Sequence, residues 1–169
     1  NMRTLLIATA LLSAPALYAA ESSEVERGAY LARAADCVAC HSTADSAPYA
    51  GGLPLESPFG IIYGTNITPD KEFGIGNYTR DDFYNAVAHG KRADGANLYP
   101  AMPYTSYHLI KREDSDAIYA YLMTLEPINR PAPETRLSFP FNLRFGLSFW
   151  NMLYGSELQL APANGKSEQ

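Results

Sequence analysis

The stretch from Thr43 to Tyr78 limits the possible fold of this chain more than any other part of the sequence. It is rich in glycine and proline, as in the segments YAGGLPLESPFG and TNITPDKEFGIG. Glycine and proline favour turns and loops and interrupt both helices and strands. A loop of this length supplies little core of its own, so in a compact domain we expect it to carry function or to pack on something else. The rest of the sequence must therefore provide what the loop packs on.

Helical spacing is found in three stretches outside this loop. Two of them follow capping-box spacings, Ser23 with Glu26 and Thr79 with Asp82, in which the side chains satisfy free amides at a helix start. The third begins with acidic residues and carries an apolar face. Runs of β-branched residues are rare, whereas Tyr and Pro occur 12 times each, which favours short helices and long loops over a sheet. The predicted fold class is therefore all-α, with helices over about 24–35, 81–89 and 112–125.

The first 20 residues have the pattern of a secretory signal peptide. Arg3 precedes the apolar run LLIATALLSAPALYAA, and small residues come just before the first acid, Glu21. Asn1 before Met2 is typical of a cloning remnant, and an uncleaved amphipathic anchor is the alternative for the segment. Export would place the mature chain in an oxidising compartment. Removal of Arg3 with the leader changes the net charge from −5 to −6, which argues against nucleic-acid binding.

The segment DCVACHS contains both cysteines of the chain, Cys37 and Cys40, with His41 directly after the second. C-x-x-C-H is the attachment signature of c-type haem, in which two thiols add to the vinyl groups and the histidine ligates iron. One tight turn can place both sulfurs along one porphyrin edge with the imidazole beneath the metal. The sequence therefore predicts one covalent haem c on Cys37 and Cys40, with His41 as the proximal iron ligand. A haem would also offer the long loop a flat apolar surface to wrap.

The same cysteines have other possible uses. A lone pair in an exported protein ordinarily forms a disulfide. A redox dithiol needs a strand before the motif and a helix starting at it, whereas here a predicted helix ends there. A zinc site needs further ligands, and only His89 and His108 remain. Haem is favoured because the motif, the leader and the missing sheet agree.

A second iron ligand must approach from the opposite haem face, and His or Met usually provides it. Met123 lies within a predicted helix and is more simply a core residue, and Met152 lies in the C-terminal tail. His89 precedes Gly90 at a helix end and can hydrogen-bond to carbonyls there. The candidates are Met102, His108, Met123, Met152 and His89.

Met102 is favoured because Pro100 and Pro103 lie on either side of it. The prolines exclude regular helix and partly fix the backbone, so a rigid loop could hold the thioether against iron. His108 is the main alternative. Methionine and histidine together fill both axial positions and raise the reduction potential, which suits electron transfer and disfavours oxygen chemistry. A haem enzyme of the peroxidase type, with an open iron site, and a haem-free dithiol module stay open as alternatives.

The chain beyond the third helix has a different composition. PINRPAPETR is a proline-rich connector, and LSFPFNLRFGLSFWNMLYG is mostly apolar or aromatic. Pro140 and Gly146 are expected to interrupt both helix and strand there. We therefore divide the chain into a leader, 1–20, a haem domain, 21–127, and a connector with an aromatic tail, 128–169. The tail either wraps its own domain or docks on a partner or membrane surface.

These residues together resemble a class I cytochrome c domain. More closely, the chain is similar to the first haem domain of the multi-haem cytochrome c subunits that accompany periplasmic alcohol, gluconate and related dehydrogenases. The resemblance extends from about Arg27 to Leu125 and implies haem attachment at Cys37 and Cys40, with His41 and Met102 as iron ligands. The matching segments are RGAYLARAADCVACHS, GGLPLESPFGIIYGTNITPD, FGIGNYTRDDFYNAVAHGKR, LYPAMPY and AIYAYLMTL.

The resemblance also implies a role and a setting. In this family, electrons leave a substrate-oxidising subunit, pass along the haems and reach ubiquinone or a terminal oxidase. The chain is then expected to be an electron carrier and not itself an enzyme, in the periplasm at the outer face of the cytoplasmic membrane. Family members usually contain three haem domains, and the end GKSEQ resembles the linker before a second one. A truncated multi-haem subunit is therefore expected, with a single-haem subunit as the alternative.

Overall fold

The computed structural model describes residues 21–154. The predicted leader and the predicted linker GKSEQ lie outside these residues. Short helices joined by long loops dominate the structure. The elements are α1 (21–34), α2 (Cys37–Cys40), β1 (Pro54–Ser57), β2 (Gly60–Tyr63), α3 (Arg80–His89), α4 (Tyr104–Tyr107), α5 (Arg112–Leu122), β3 (Arg136–Leu137) and α6 (Phe145–Tyr154).

Helices α1, α3 and α5 form the frame of the domain. At the contact between α1 and α5, a Cβ at Gly28 would lie 1.9 Å from the carbonyl oxygen of Ala117, so only glycine allows this approach. Ile118 and Leu122 of α5 are buried in the core, and burial of each aliphatic side chain contributes about 2 kcal/mol. The core cluster consists of Ala32, Tyr49, Ile75, Phe83, Ile118 and Leu122.

Helix α3 has the predicted end signals, and α5 has the predicted start. Thr79 and Asp82 form a capping box at the start of α3, and Gly90 ends that helix in the left-handed conformation at φ 62°. Helix α5 begins at Arg112 as predicted but ends at Leu122, with Met123 as its C-cap. The predicted start of the first helix is wrong, because residues 21–23 are already helical and Ser23 is not the N-cap.

A small sheet interrupts the loop that was predicted between Thr43 and Tyr78. Strands β1 and β2 form an antiparallel hairpin, in which Ser57 Oγ donates to the carbonyl oxygen of Gly60 at 2.9 Å. Strand β3 then pairs with β2 through Gly60 opposite Leu137 and Ile61 opposite Arg136. The third strand comes from the distant tail, so no local pattern could have predicted its place in the sheet.

The tail, residues 128–154, returns to the domain. The side-chain Nδ2 of Asn66, a residue that is 3% exposed, donates to the carbonyl oxygens of Ile128 and Arg130 at 2.8 and 3.2 Å. The expectation that Gly146 interrupts a helix is wrong, because Gly146 lies in the first turn of α6, which starts at Phe145. A Cβ at this position would meet no other atom within 4 Å. Within residues 21–154, none of the helices combines the length and hydrophobicity needed to cross a bilayer.

Candidate haem site

The cysteine motif forms a single helical turn between α1 and the long loop. Asp36, at φ 55°, breaks the chain direction after α1, and α2 then carries Cys37 and Cys40 one turn apart. The backbone amide of His41 donates to the carbonyl oxygen of Cys37 at 3.1 Å and closes the turn. Both thiols are free and partly buried. The turn therefore presents two unpaired sulfurs and an imidazole from five consecutive residues.

The surroundings of the two cysteines do not favour the rival uses of the motif. Burial raises the pKa of the Cys37 thiol to about 11, whereas reactive dithiols need a lowered pKa. No strand precedes the motif in the described part of the chain, as a thioredoxin-like site would require. Among residues 21–154, no three His, Cys, Asp or Glu side chains lie close enough together to hold a metal ion. A redox dithiol and a tetrahedral zinc site are therefore both poor descriptions of this turn.

The imidazole of His41 has a defined orientation. Its Nδ1 lies 2.7 Å from the carbonyl oxygen of Thr65, so Nδ1 carries the hydrogen that it donates. The lone pair is then on Nε2, for which no described residue supplies a hydrogen bond. Burial lowers the pKa of His41, which keeps the ring neutral. A neutral imidazole held at Nδ1 by a carbonyl is the usual form of a histidine that ligates a metal through Nε2.

The glycine-rich loop packs closely against the motif. The amide of Gly51 donates to the carbonyl oxygen of His41 at 2.7 Å. A Cβ at Gly64 would lie 2.0 Å from the carbonyl oxygen of Cys40, so the loop can approach this turn only because residue 64 is glycine. The expectation that the long loop packs on something is confirmed in part, since the motif itself is one of its contacts.

Met102 lies in a bend between α3 and α4, half-buried. Its amide donates to the carbonyl oxygen of Tyr99 at 3.1 Å, and its carbonyl accepts from the amide of Tyr104 at 2.8 Å. Helix α4 follows directly, and the hydroxyl of Tyr107 donates to the carbonyl oxygen of Ala35 at 2.7 Å. This bond connects the helix after Met102 with the end of α1, two residues before Cys37.

The other candidate ligands have distinct surroundings. His108 Nδ1 lies 2.6 Å from the carbonyl oxygen of Thr105, and its Nε2 is buried with no hydrogen-bond partner among the described residues. His108 therefore has the same tautomer as His41 and keeps its standing as the main alternative to Met102. His89 is exposed and packs edge-on against Tyr84 in the last turn of α3. Met152 is 67% exposed on α6, and Met123 is partly buried at the end of α5.

Several contacts around the site were not predicted. Thr65 acts through its backbone carbonyl, which any residue supplies, so its identity gave no signal. Asn97 is 9% exposed and contacts the tail, although it lies in a polar loop of ordinary composition. Arg144 is a single cation in an aromatic stretch, and Ser148 has no pattern that would connect it with residue 97.

Most of the chain is similar to known cytochrome c proteins. The cytochrome c family model matches residues 25–126. The chain is 46% identical over 164 residues to the cytochrome c subunit of a quinone alcohol dehydrogenase from Gluconacetobacter polyoxogenes, covering 96% of this chain and 34% of that protein. It is 49% identical over 140 residues to the fructose dehydrogenase cytochrome subunit of Gluconobacter japonicus, covering 82% and 29% of the two chains.

A third relative is the gluconate 2-dehydrogenase cytochrome c subunit of Pantoea cypripedii, with 45% identity over 160 residues, 94% of this chain and 36% of that protein. The chain thus spans about a third of the length of these relatives. The resemblance that was predicted from the sequence, to cytochrome c subunits of alcohol and gluconate dehydrogenases, is confirmed.

Proposed function

This chain belongs to the cytochrome c family, and from that membership we propose that it carries one covalently attached haem and transfers single electrons for a periplasmic dehydrogenase. The observation that carries the proposal is the turn of Cys37, Cys40 and His41, with two free thiols and an imidazole held at Nδ1 by a carbonyl. That donor set fits a c-type haem and does not fit the competing dithiol or zinc sites.

In this proposal Cys37 and Cys40 hold the haem covalently. Each thiol would add across one vinyl group, sulfur to one carbon and hydrogen to the other, so the attachment would need no oxidant and release no leaving group. His41 would hold the iron through Nε2, because the carbonyl of Thr65 keeps the hydrogen of the ring on Nδ1. When bound, the haem supplies a one-electron couple between two iron oxidation states.

Met102 is the proposed second iron ligand. The bend of residues 99–103 is short and carries two prolines, so its thioether needs little ordering to reach a fixed position. A filled second position would exclude small ligands and keep the protein an electron carrier and not an oxygen-activating enzyme. His108 is the competitor because its buried Nε2 has no described partner.

The partner and the setting are also part of the proposal. The relatives are cytochrome subunits of alcohol, fructose and gluconate dehydrogenases, which supports a dehydrogenase catalytic subunit as the electron donor. We place the acceptor as ubiquinone or a terminal oxidase, and the chain in the periplasm at the outer face of the cytoplasmic membrane. The exposed apolar face of α6, with Phe145, Phe149 and Met152 at 74, 58 and 67% exposure, is the surface on which we expect the dehydrogenase to dock.

The test is to produce the full chain, with its own N-terminus, in a bacterium that attaches c-type haem. Intact mass should increase by one haem, and the dithionite-reduced protein should give a c-type spectrum that carbon monoxide does not change. Cys37→Ala combined with Cys40→Ala should abolish the covalent mass increase. A colourless wild-type protein of unchanged mass, with the two cysteines joined as a disulfide, would overturn the proposal.

The ligand assignment needs its own variants. Met102→Ala should open the iron to carbon monoxide and lower the reduction potential, because the thioether stabilises the reduced state. Met123→Ala and His89→Ala are matched controls that should leave both properties unchanged. If Met102→Ala changes nothing and His108→Ala opens the iron, His108 is the ligand. If wild-type iron binds carbon monoxide readily, the open-site enzyme becomes the better description.

The dehydrogenase contact is tested by replacing Phe145 and Phe149 with Ser in the native gene. The variant should retain its haem but be lost from the complex when the catalytic subunit is purified from membranes. The exposed Leu109, 68% exposed and distant from the tail in sequence, provides a control as Leu109→Ser. Co-purification of the tail variant at the wild-type level would exclude α6 as the docking surface.

A further inference from the structure

The loop of residues 91–99 is held by the tail of the same chain. The Asn97 side chain accepts a hydrogen bond from Lys91 Nζ and donates one from Nδ2 to Ser148 Oγ at 3.0 Å. Arg144 Nη1 donates to the carbonyl oxygen of Asn97 at 3.3 Å, and its guanidinium carbon lies 4.9 Å from the centre of the Tyr99 ring. Arg144 and Ser148 therefore both contact residue 97, and Arg144 also contacts residue 99, the other end of the segment of residues 97–99.

This segment leads directly into the loop that carries Met102. Tyr99, which Arg144 covers, accepts the amide hydrogen of Met102 at 3.1 Å, and only Pro100 and Ala101 lie between them. On the other side, the carbonyl of Met102 accepts from the Tyr104 amide. The backbone around Met102 is therefore bonded at both ends, and the Tyr99 end is the one that the tail covers.

We propose that Arg144 and Ser148 are positioning residues for Met102, which hold residues 97–99 in place and so keep the thioether on iron. This inference rests on the proposed function, because it concerns the ligand of a bound haem. A thioether–iron bond is weak, so the loop must hold the thioether in position for the bond to last. A charged hydrogen bond with a cation–π contact, and a hydrogen bond from a buried amide, are contacts of suitable strength.

The arrangement of α6 supports this role. Its exposed apolar residues, Phe145, Phe149 and Met152, recur at helical spacing on one face, whereas Arg144 and Ser148 point to the domain. A helix that served only to cover the core would present its apolar face inward. Ser148 of this helix, and Arg144 just before it, instead make polar contacts with the domain at the loop before Met102.

The experiment uses the haem-loaded full chain with Arg144→Gln and Ser148→Ala combined. The fraction of reduced protein that binds carbon monoxide, or the rate of that binding, should rise by about tenfold, because the lost contacts together are of that order. The far-red absorbance of the thioether–iron bond in the oxidised protein should weaken in parallel. Arg144→Lys keeps the cation over Tyr99 without the planar guanidinium, so its effect should be intermediate.

Arg136→Gln combined with Ser138→Ala is the matched control. Both residues lie in the tail, and their described contacts are made by backbone atoms, through β3 and the Ser138 amide, so carbon monoxide binding should stay at the wild-type level. Hydrogen exchange of peptides from residues 139–154 shows how far each variant loosens the tail.

The outcomes separate the two proposals. If the wild-type protein is closed to carbon monoxide and the Arg144/Ser148 variant is equally closed, the positioning role is overturned while the proposed function stands, whether or not the tail has loosened. An equal rise in the control variant would also overturn it. If the wild-type protein carries no haem or binds carbon monoxide freely, the proposed function fails and this inference fails with it.

Discussion

The two faces of the proposed haem site are held by different parts of the chain. On the cysteine side, His41 is fixed by Cys37, Gly51 and Thr65, all within 24 positions of it. On the methionine side, the loop before Met102 is fixed by Arg144 and Ser148, which lie 47 and 51 positions from Asn97. Contacts made by exposed side chains, such as Arg144 and Ser148, open more readily than backbone contacts within a tightly packed turn. We therefore expect haem attachment to depend on the motif and its loop, and the second ligation to depend on the tail.

The largest effect is expected from Gly64→Ala, on the cysteine side. Its Cβ would lie 2.0 Å from the carbonyl oxygen of Cys40, and two backbone segments would have to separate. The cost should be about 3 kcal/mol or more. We expect a large fall in the yield of covalently haem-loaded protein and in its thermal midpoint. Gly146→Ala is the control, because a Cβ there meets nothing. Wild-type yield and midpoint for Gly64→Ala would refute the tight packing of this loop.

Gly90→Ala tests the methionine side and should cost less, about 2 kcal/mol. The residue has φ 62°, and its Cβ would lie 2.7 Å from the ring of Tyr104, a side chain that can move where the Cys40 backbone cannot. Because the Tyr104 amide donates to the carbonyl oxygen of Met102, a shift of Tyr104 should weaken the second ligation. We expect normal covalent attachment with increased carbon monoxide binding. Loss of covalent attachment in this variant would show that the two sides are not independent.

Tyr107→Phe removes the hydrogen bond from α4 to the carbonyl oxygen of Ala35, just after α1. The carbonyl oxygen of Ala35 would lose its 2.7 Å donor, at a cost of about 1 kcal/mol. Urea unfolding of the haem-loaded protein measures this loss, and carbon monoxide binding shows whether α4 also supports Met102. The control is Tyr30→Phe, whose side chain is 70% exposed and whose hydroxyl has no described partner. Equal stability of the two variants would mean that the hydrogen bond from the Tyr107 hydroxyl does not stabilise the fold.

The same contrast explains what could be predicted from the sequence. The turn of Cys37, Cys40 and His41 is defined by spacing alone, and the capping box of Thr79 and Asp82 by two residues three apart. Such short-range patterns do not depend on how the rest of the chain folds. Met102 was selected because prolines flank it, which is again local information. The assignment of iron ligands stays a prediction.

Long-range contacts could not be predicted in the same way. Strand β3 is two residues long and pairs with a hairpin far away in the sequence, so no alternation pattern marks it. Helix α6 was missed because Gly146 interrupts its apolar period, although a glycine in the first turn of a helix costs little there. The bond between Asn97 and Ser148 joins two residue types that are common in loops. Residue spacing in the sequence therefore does not indicate such long-range contacts.

The smallest effect is expected from an ion pair within the helical frame, between α1 and α3. Arg80, at the start of α3, donates from Nη1 and Nη2 to the Glu24 carboxylate of α1 at 2.6 and 3.2 Å. These hydrogen bonds, and the charge of Arg80, lower the pKa of Glu24 below its ordinary value of 4.5. A lowered pKa in the folded state stabilises the protein above pH 4.5, and the contribution is lost as the pH falls through the folded-state value.

Glu24→Gln should therefore be less stable than the wild type at pH 7, by under about 1 kcal/mol because both side chains are partly exposed and screened by solvent. The difference in urea unfolding should shrink below pH 4.5 and vanish once the wild-type carboxylate is protonated. Carbon monoxide binding and covalent attachment should match the wild type at pH 7. A difference that grows on acidification would reverse the sign of the linkage, and a change in ligation would show that the frame, and not only the tail, controls Met102.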